Sequence, residues 1–144
     1  MAQTVREYDS RPITVGSQGY PNPDDRQLCD IDRLAPFVDV FSLHPYNIYG
    51  KSLEEFEKGF AEILDYLKPF GKPYIITESI WGAKTADGRK IYLETEIPTY
   101  AKYNVGFLCH ALFESPVADL YPVEELGLED GLYMPFLDKN FNIR

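Results

Sequence analysis

Glu78 ends the stretch Lys72-Pro73-Tyr74-Ile75-Ile76-Thr77-Glu78-Ser79, a short apolar, β-branched run that stops on a carboxylate. A buried strand that delivers a Glu to its C-terminal end holds that carboxylate rigid, as a nucleophile or an acid/base must be held. A solvated polar strand end is the plainer alternative. Upstream, Val38 to Leu43 is a second run of the buried type, and it releases His44-Pro45-Tyr46-Asn47 at the corresponding place. Imidazole, phenol and carboxylate groups gathered at one rim can orient and charge-balance a reacting carboxylate. Structural packing is the default for a lone His, but Pro45 biases His44 toward the extended conformation of a strand exit. With only two His in the chain and no ligand spacing around them, a metal role for His44 is not expected.

The segment between the two runs decides whether their ends meet. From Ser52 to Leu67 the apolar residues Leu53, Phe56, Phe60, Ile63, Leu64 and Leu67 recur at helical spacing. Ser52 as N-cap and Glu55 three residues later form a capping box, and Pro69 and Gly71 mark the stop. Strand, helix, strand in this order places the two strands parallel through a right-handed crossover. His44, Tyr46 and Glu78 are thereby expected on one rim.

The same pattern extends both ways. Ala2 to Tyr8 reads as the tail of a helix, Arg11 to Ser17 as an earlier strand, and Asp30 to Pro36 as a short helix. Ala83 to Lys90 reads as a polar loop with a turn at Asp87-Gly88. Ile91 to Tyr103 is a helix weakened by Pro98, and Val105 to Phe113 a fourth strand that buries Cys109. Four such units in 144 residues make one partial domain, 1–144, about half of a closed eight-stranded barrel that needs roughly 250 residues. The expected fold is α/β: half of a (β/α)8 TIM barrel, with four parallel strands and intervening helices.

Composition limits the partners. A net charge of −9 argues against nucleic acid and anionic membrane, since both attract a basic face. Eleven Tyr among 15% aromatics supply flat faces with polar tips, suited to sugar rings as well as to a core. Cys29 and Cys109 have no metal spacing and form no disulfide framework. No apolar run approaches about 18 residues, so neither a transmembrane span nor a signal peptide is expected, and the compartment stays open.

Taken in order, Arg-Pro-Ile-Thr-Val-Gly, Asp-Val-Phe-Ser-Leu-His-Pro-Tyr, Lys-Pro-Tyr-Ile-Ile-Thr-Glu-Ser and Val-Gly-Phe-Leu-Cys-His-Ala-Leu-Phe resemble strands five to eight of a clan A glycoside hydrolase. The cellulase, mannanase and β-galactosidase-like branches are resembled about equally, over nearly the whole chain. The resemblance implies a carbohydrate substrate, retaining hydrolysis of β-linked glycosides, and no cofactor. It implies Glu78 as nucleophile, with His44 and Tyr46 touching substrate and the nucleophile. Trp81 would line the sugar site, and His110 stands near the position where the family has a Trp platform.

Retaining chemistry needs a second carboxylate about 5 to 5.5 Å from the nucleophile to protonate the leaving oxygen. In the family this is a Glu preceded by Asn at the end of strand four, and the chain has no Asn-Glu pair. Glu114 is a less favoured substitute, Asp119 and Asp39 weaker ones. Half a barrel also leaves two open sheet edges and an inner face of Ile, Val and Phe to be filled, so self-association as a homodimer is expected. Whether the chain is an enzyme on its own is therefore open. The alternatives are a non-catalytic carbohydrate-binding or half-barrel assembly module, and an unrelated α/β domain in which Glu78 and His44 are structural.

Overall fold

The computed structural model describes residues 2–18, 31–47, 50–80, 86–110, 112, 136–137 and 140–143. Helix α1 (Ala2–Tyr8) leads to β1 (Gly16–Gln18), a short α2 (Ile31–Leu34) and β2 (Phe41–His44). Then follow α3 (Leu53–Leu67), a 3-10 turn (Lys68–Phe70), β3 (Tyr74–Ser79), α4 (Ala86–Lys102) and β4 (Phe107–Cys109). The strands form one sheet in the order β1-β2-β3-β4, and every neighbouring pair is parallel. The chain thus has an α/β architecture, and the exits of its strands lie along one edge.

Helix α3 follows its sequence signals closely. Ser52 Oγ accepts from the Glu55 N–H, and Glu55 Oε2 accepts from the Ser52 N–H at 2.9 Å, which closes the capping box. Phe56, Phe60, Ile63, Leu64 and Leu67 are buried, while Leu53 in the first turn is exposed. At the far end Gly71 adopts φ 61, a left-handed turn that glycine makes without a Cβ clash. The buried face meets Phe41 and Leu43 of β2, Ile76 of β3, and Tyr100 and Val105. Ring pairs Phe60–Tyr100 at 5.5 Å and Tyr100–Phe107 at 5.3 Å run from α3 through α4 to β4.

The strands start later than their apolar runs. Asp39 is the reason at β1 and β2: its Oδ2 accepts the Ile13 N–H at 2.8 Å, and its own N–H donates to Ile13 O at 2.7 Å. Arg6 completes the knot with 2.9 Å bonds to both Asp39 oxygens. The Ile13 backbone groups and the Asp39 and Val40 N–H groups are taken up in this local pairing, and the regular ladder begins only at Gly16 and Phe41. Asp39 therefore stands at the strand entrances, away from the rim, and offers no second carboxylate there.

Two further expectations are corrected. Helix α4 begins at Ala86, inside the span read as a polar loop, with Asp87 in its first turn complementing the helix dipole. Pro98 lies within the helix and does not break it. Thr95 and Thr99 hydroxyls bond the carbonyls of Ile91 and Thr95 around it, and α4 is held from outside by packing on α3 and by the buried Glu96. The fourth strand is short, and Cys109 is exposed, not packed in a core, because β4 is the end strand of the sheet. Leu108 beside it is 56% exposed.

The face of the sheet turned away from α3 differs from the expected apolar fill. Phe41, Leu43 and Ile76 point to the helices. Pleating sends Ser42 and His44 to the other side, where Ser42 Oγ hydrogen-bonds Thr77 Oγ1 and His44 Nε2 lies 2.9 Å from the same hydroxyl. That face carries a buried polar seam across β2 and β3.

Candidate active site

Glu78 owes its aim to an irregularity in β3. Ile76 pairs with Phe107 and Ser79 with Cys109, so three steps along β3 match two along β4. One extra residue is thus accommodated at Thr77-Glu78, and Ser79 anchors the far side by donating from Oγ to Leu108 O at 2.8 Å. Strict alternation would send Thr77 and Glu78 to opposite faces of the sheet. With the extra residue both reach His44: Thr77 Oγ1 meets Nε2 at 2.9 Å, and Glu78 Oε2 stands 3.5 Å from Nδ1. A bulge that re-aims a side chain at a sheet end is a common device beside active sites.

Tyr46 completes the group, its hydroxyl donating to Glu78 Oε2 at 2.8 Å. His44 is 7% exposed and the Glu78 side chain 37%, so the carboxylate can be approached while the imidazole is enclosed. The 3.5 Å separation is an ion-pair contact that falls short of a hydrogen bond, and His44 Nδ1 makes none among the described residues. Burial pushes the His44 pKa below its ordinary 6.5; the Glu78 charge opposes this and His110 reinforces it. The neutral imidazole is therefore the form at neutral pH. Gly16 makes room for it, since a Cβ there would lie 3.2 Å from His44 Cε1.

His44, Tyr46 and Glu78 are thus brought together, as their spacing predicts. His110 is near enough for its charge to bear on His44, and its N–H donates to Ser79 O at 2.8 Å. Trp81, Glu114 and Asp119 lie outside the described residues. Among the described residues no group of three or more His, Cys, Asp and Glu is placed to hold a metal, and no helix is long and apolar enough to cross a membrane.

A second carboxylate, missed in the sequence, lies behind the rim. Glu96 of α4 is wholly buried. Its Oε1 accepts the Asn47 N–H at 2.8 Å, and its Oε2 accepts the Ile80 N–H at 2.6 Å and the Tyr100 hydroxyl at 3.1 Å. The Tyr100 hydroxyl also lies 3.1 Å from Pro45 O. Desolvation raises the Glu96 pKa to about 7 against the pull of these donors. Ile80 has φ 57, a left-handed conformation that costs a β-branched residue about 1–3 kcal/mol, and it is wholly buried. The available signal was helical spacing: carried through Pro98, it aligns Glu96 with Tyr92, Thr99, Tyr100 and Tyr103 on the face turned inward.

Neither a known family model nor any curated protein matches this chain.

Proposed function

We propose that the chain is the C-terminal half of a retaining, clan A-like glycoside hydrolase, strands five to eight of a (β/α)8 barrel, acting on β-linked glycosides with Glu78 as nucleophile. The observation that carries this reading is the 2.8 Å bond from Tyr46 to Glu78, with His44 alongside, at the exits of adjacent parallel strands. In the first half-reaction a Glu78 oxygen attacks the anomeric carbon, the glycosidic C–O bond breaks, and the leaving oxygen needs a proton. Tyr46 fixes the orientation of the carboxylate through Oε2, and neutral His44 packs beside it without competing for the proton. The acid/base carboxylate comes from strands outside this chain, in a longer polypeptide or an associated one. His110, and Trp81 by resemblance, border the sugar site. The exposed outer strand β4 is the edge through which the half barrel associates with a second copy or with its complement.

Dinitrophenyl β-glycosides test the reading, because their leaving group departs without acid assistance. The chain should release about one equivalent of dinitrophenolate in a burst and then stall as a glycosyl ester, a burst being the mark of an accumulating covalent intermediate. Glu78→Gln should abolish the burst. Binding of glycosides without any burst would favour a carbohydrate-binding module instead.

A further inference from the structure

Glu96 reaches two rim segments that are far apart in sequence. Through Asn47 it holds the segment leaving β2, and through Ile80 the segment leaving β3. Tyr46 lies between Pro45, whose carbonyl is 3.1 Å from the Tyr100 hydroxyl, and Asn47, whose N–H goes to Glu96. Glu78 lies two residues before Ile80. Asn47 is tied in further: its Nδ2 donates to Lys51 O at 2.8 Å and to Thr95 Oγ1 at 3.0 Å, and its Oδ1 accepts the Lys51 N–H at 2.8 Å. These bonds join both exits to the middle of α4.

We propose that Glu96 is the positioning residue of the candidate site: its single carboxylate, with Tyr100, clamps the β2 and β3 exits together and so sets the distance between Tyr46, His44 and Glu78. Glu96 touches neither a substrate nor the three rim side chains in this role. It acts through the backbone that carries them, and it holds Ile80 in a conformation that a β-branched residue adopts only under such restraint. A carboxylate suits the task because it presents acceptors on both oxygens. A carboxamide would have to turn its NH2 toward one of the two N–H groups. Among the described residues, the ionisable groups that bear on Glu96 are Tyr100 from its own helix and Cys109 from β4.

The role deepens the hydrolase reading, since the site it positions is the proposed one, but it can be tested without any sugar. The Cε1–H resonance of His44 is followed against pH in the full chain, with His110→Gln used to tell the two histidines apart. The Glu78 charge favours His44 protonation, so Glu78→Gln should lower the His44 pKa in the wild-type background. In Glu96→Gln and Glu96→Asp backgrounds that effect should shrink to half or less. Glu96→Asp is one methylene too short to reach both the Asn47 and the Ile80 N–H, so it carries the test if Glu96→Gln does not fold. An undiminished Glu78→Gln effect in the foldable variants would overturn the proposal, as would its absence from the wild-type background. A chain that shows this coupling but gives no burst with glycosides would lose the hydrolase reading and keep Glu96 as the clamp.

Discussion

Glu78 and Glu96 serve the same pair of strand exits, yet their surroundings are opposite. Glu78 is over a third exposed and takes one phenolic hydrogen bond beside an imidazole. Glu96 is sealed from solvent and takes two backbone N–H groups and a hydroxyl. The first arrangement leaves a carboxylate accessible for chemistry at little structural cost. The second spends a carboxylate on architecture, and burial raises its pKa to about 7 in consequence.

Substitutions should separate the two. The largest effect is expected from Glu78→Gln on the rate of burst release with dinitrophenyl glycosides, a loss of at least about a thousandfold, while the urea midpoint changes little because the side chain is partly exposed. Glu96→Ala should do the reverse at the level of folding. It strands the Asn47 and Ile80 N–H groups in a buried place, and about 2–4 kcal/mol of stability should be lost in urea titrations.

The pH dependence sharpens the contrast. For Glu96 the folded pKa, about 7, lies above the 4.5 of the free group, so its contribution to stability is complete below pH 4.5 and lost as pH rises through 7. The loss amounts to about 3 kcal/mol, and Glu96→Gln should remove that slope from stability measured across the window. His44 has the opposite sign: its folded pKa is depressed below 6.5, so stability falls as pH drops below that value. With Glu96 replaced, this acid-side loss should be the one that remains.

Much of the fold was legible because its signals are local. The Ser52-Glu55 box, the apolar stripe of α3 and Gly71 each act within a turn or two of chain, and each does what its residue type dictates. Strand boundaries were less legible because a tertiary contact set them: Asp39 captures Ile13 and Arg6, neither of which is near it in sequence. The extra residue at Thr77-Glu78 has no composition signal at all, since it is defined by pairing with Phe107 and Cys109. Glu96 was obscured by Pro98. A local rule weakened the helix in the sequence reading, whereas packing and hydrogen bonds outside the helix sustain it.

Smaller changes refine the picture of the exposed carboxylate. Tyr46→Phe removes its one phenolic donor and should slow the burst about tenfold, or about 1.4 kcal/mol in barrier, with little change in melting temperature. Gly16→Ala presses a methyl group against His44 and should cost about 1 kcal/mol in stability, together with a shift of the His44 resonances.

Glu78 is the proposed nucleophile, and covalent capture tests that role most directly. Incubation with 2-deoxy-2-fluoro-β-glycosyl fluorides of the gluco, manno and galacto series, followed by mass spectrometry of proteolytic peptides, should show one added fluoroglycosyl group, esterified to Glu78. Fluoride leaves without a proton donor, so the reaction does not depend on the missing carboxylate. A label on any other residue, or an unlabelled Glu78 after exposure to all three sugars, would contradict it.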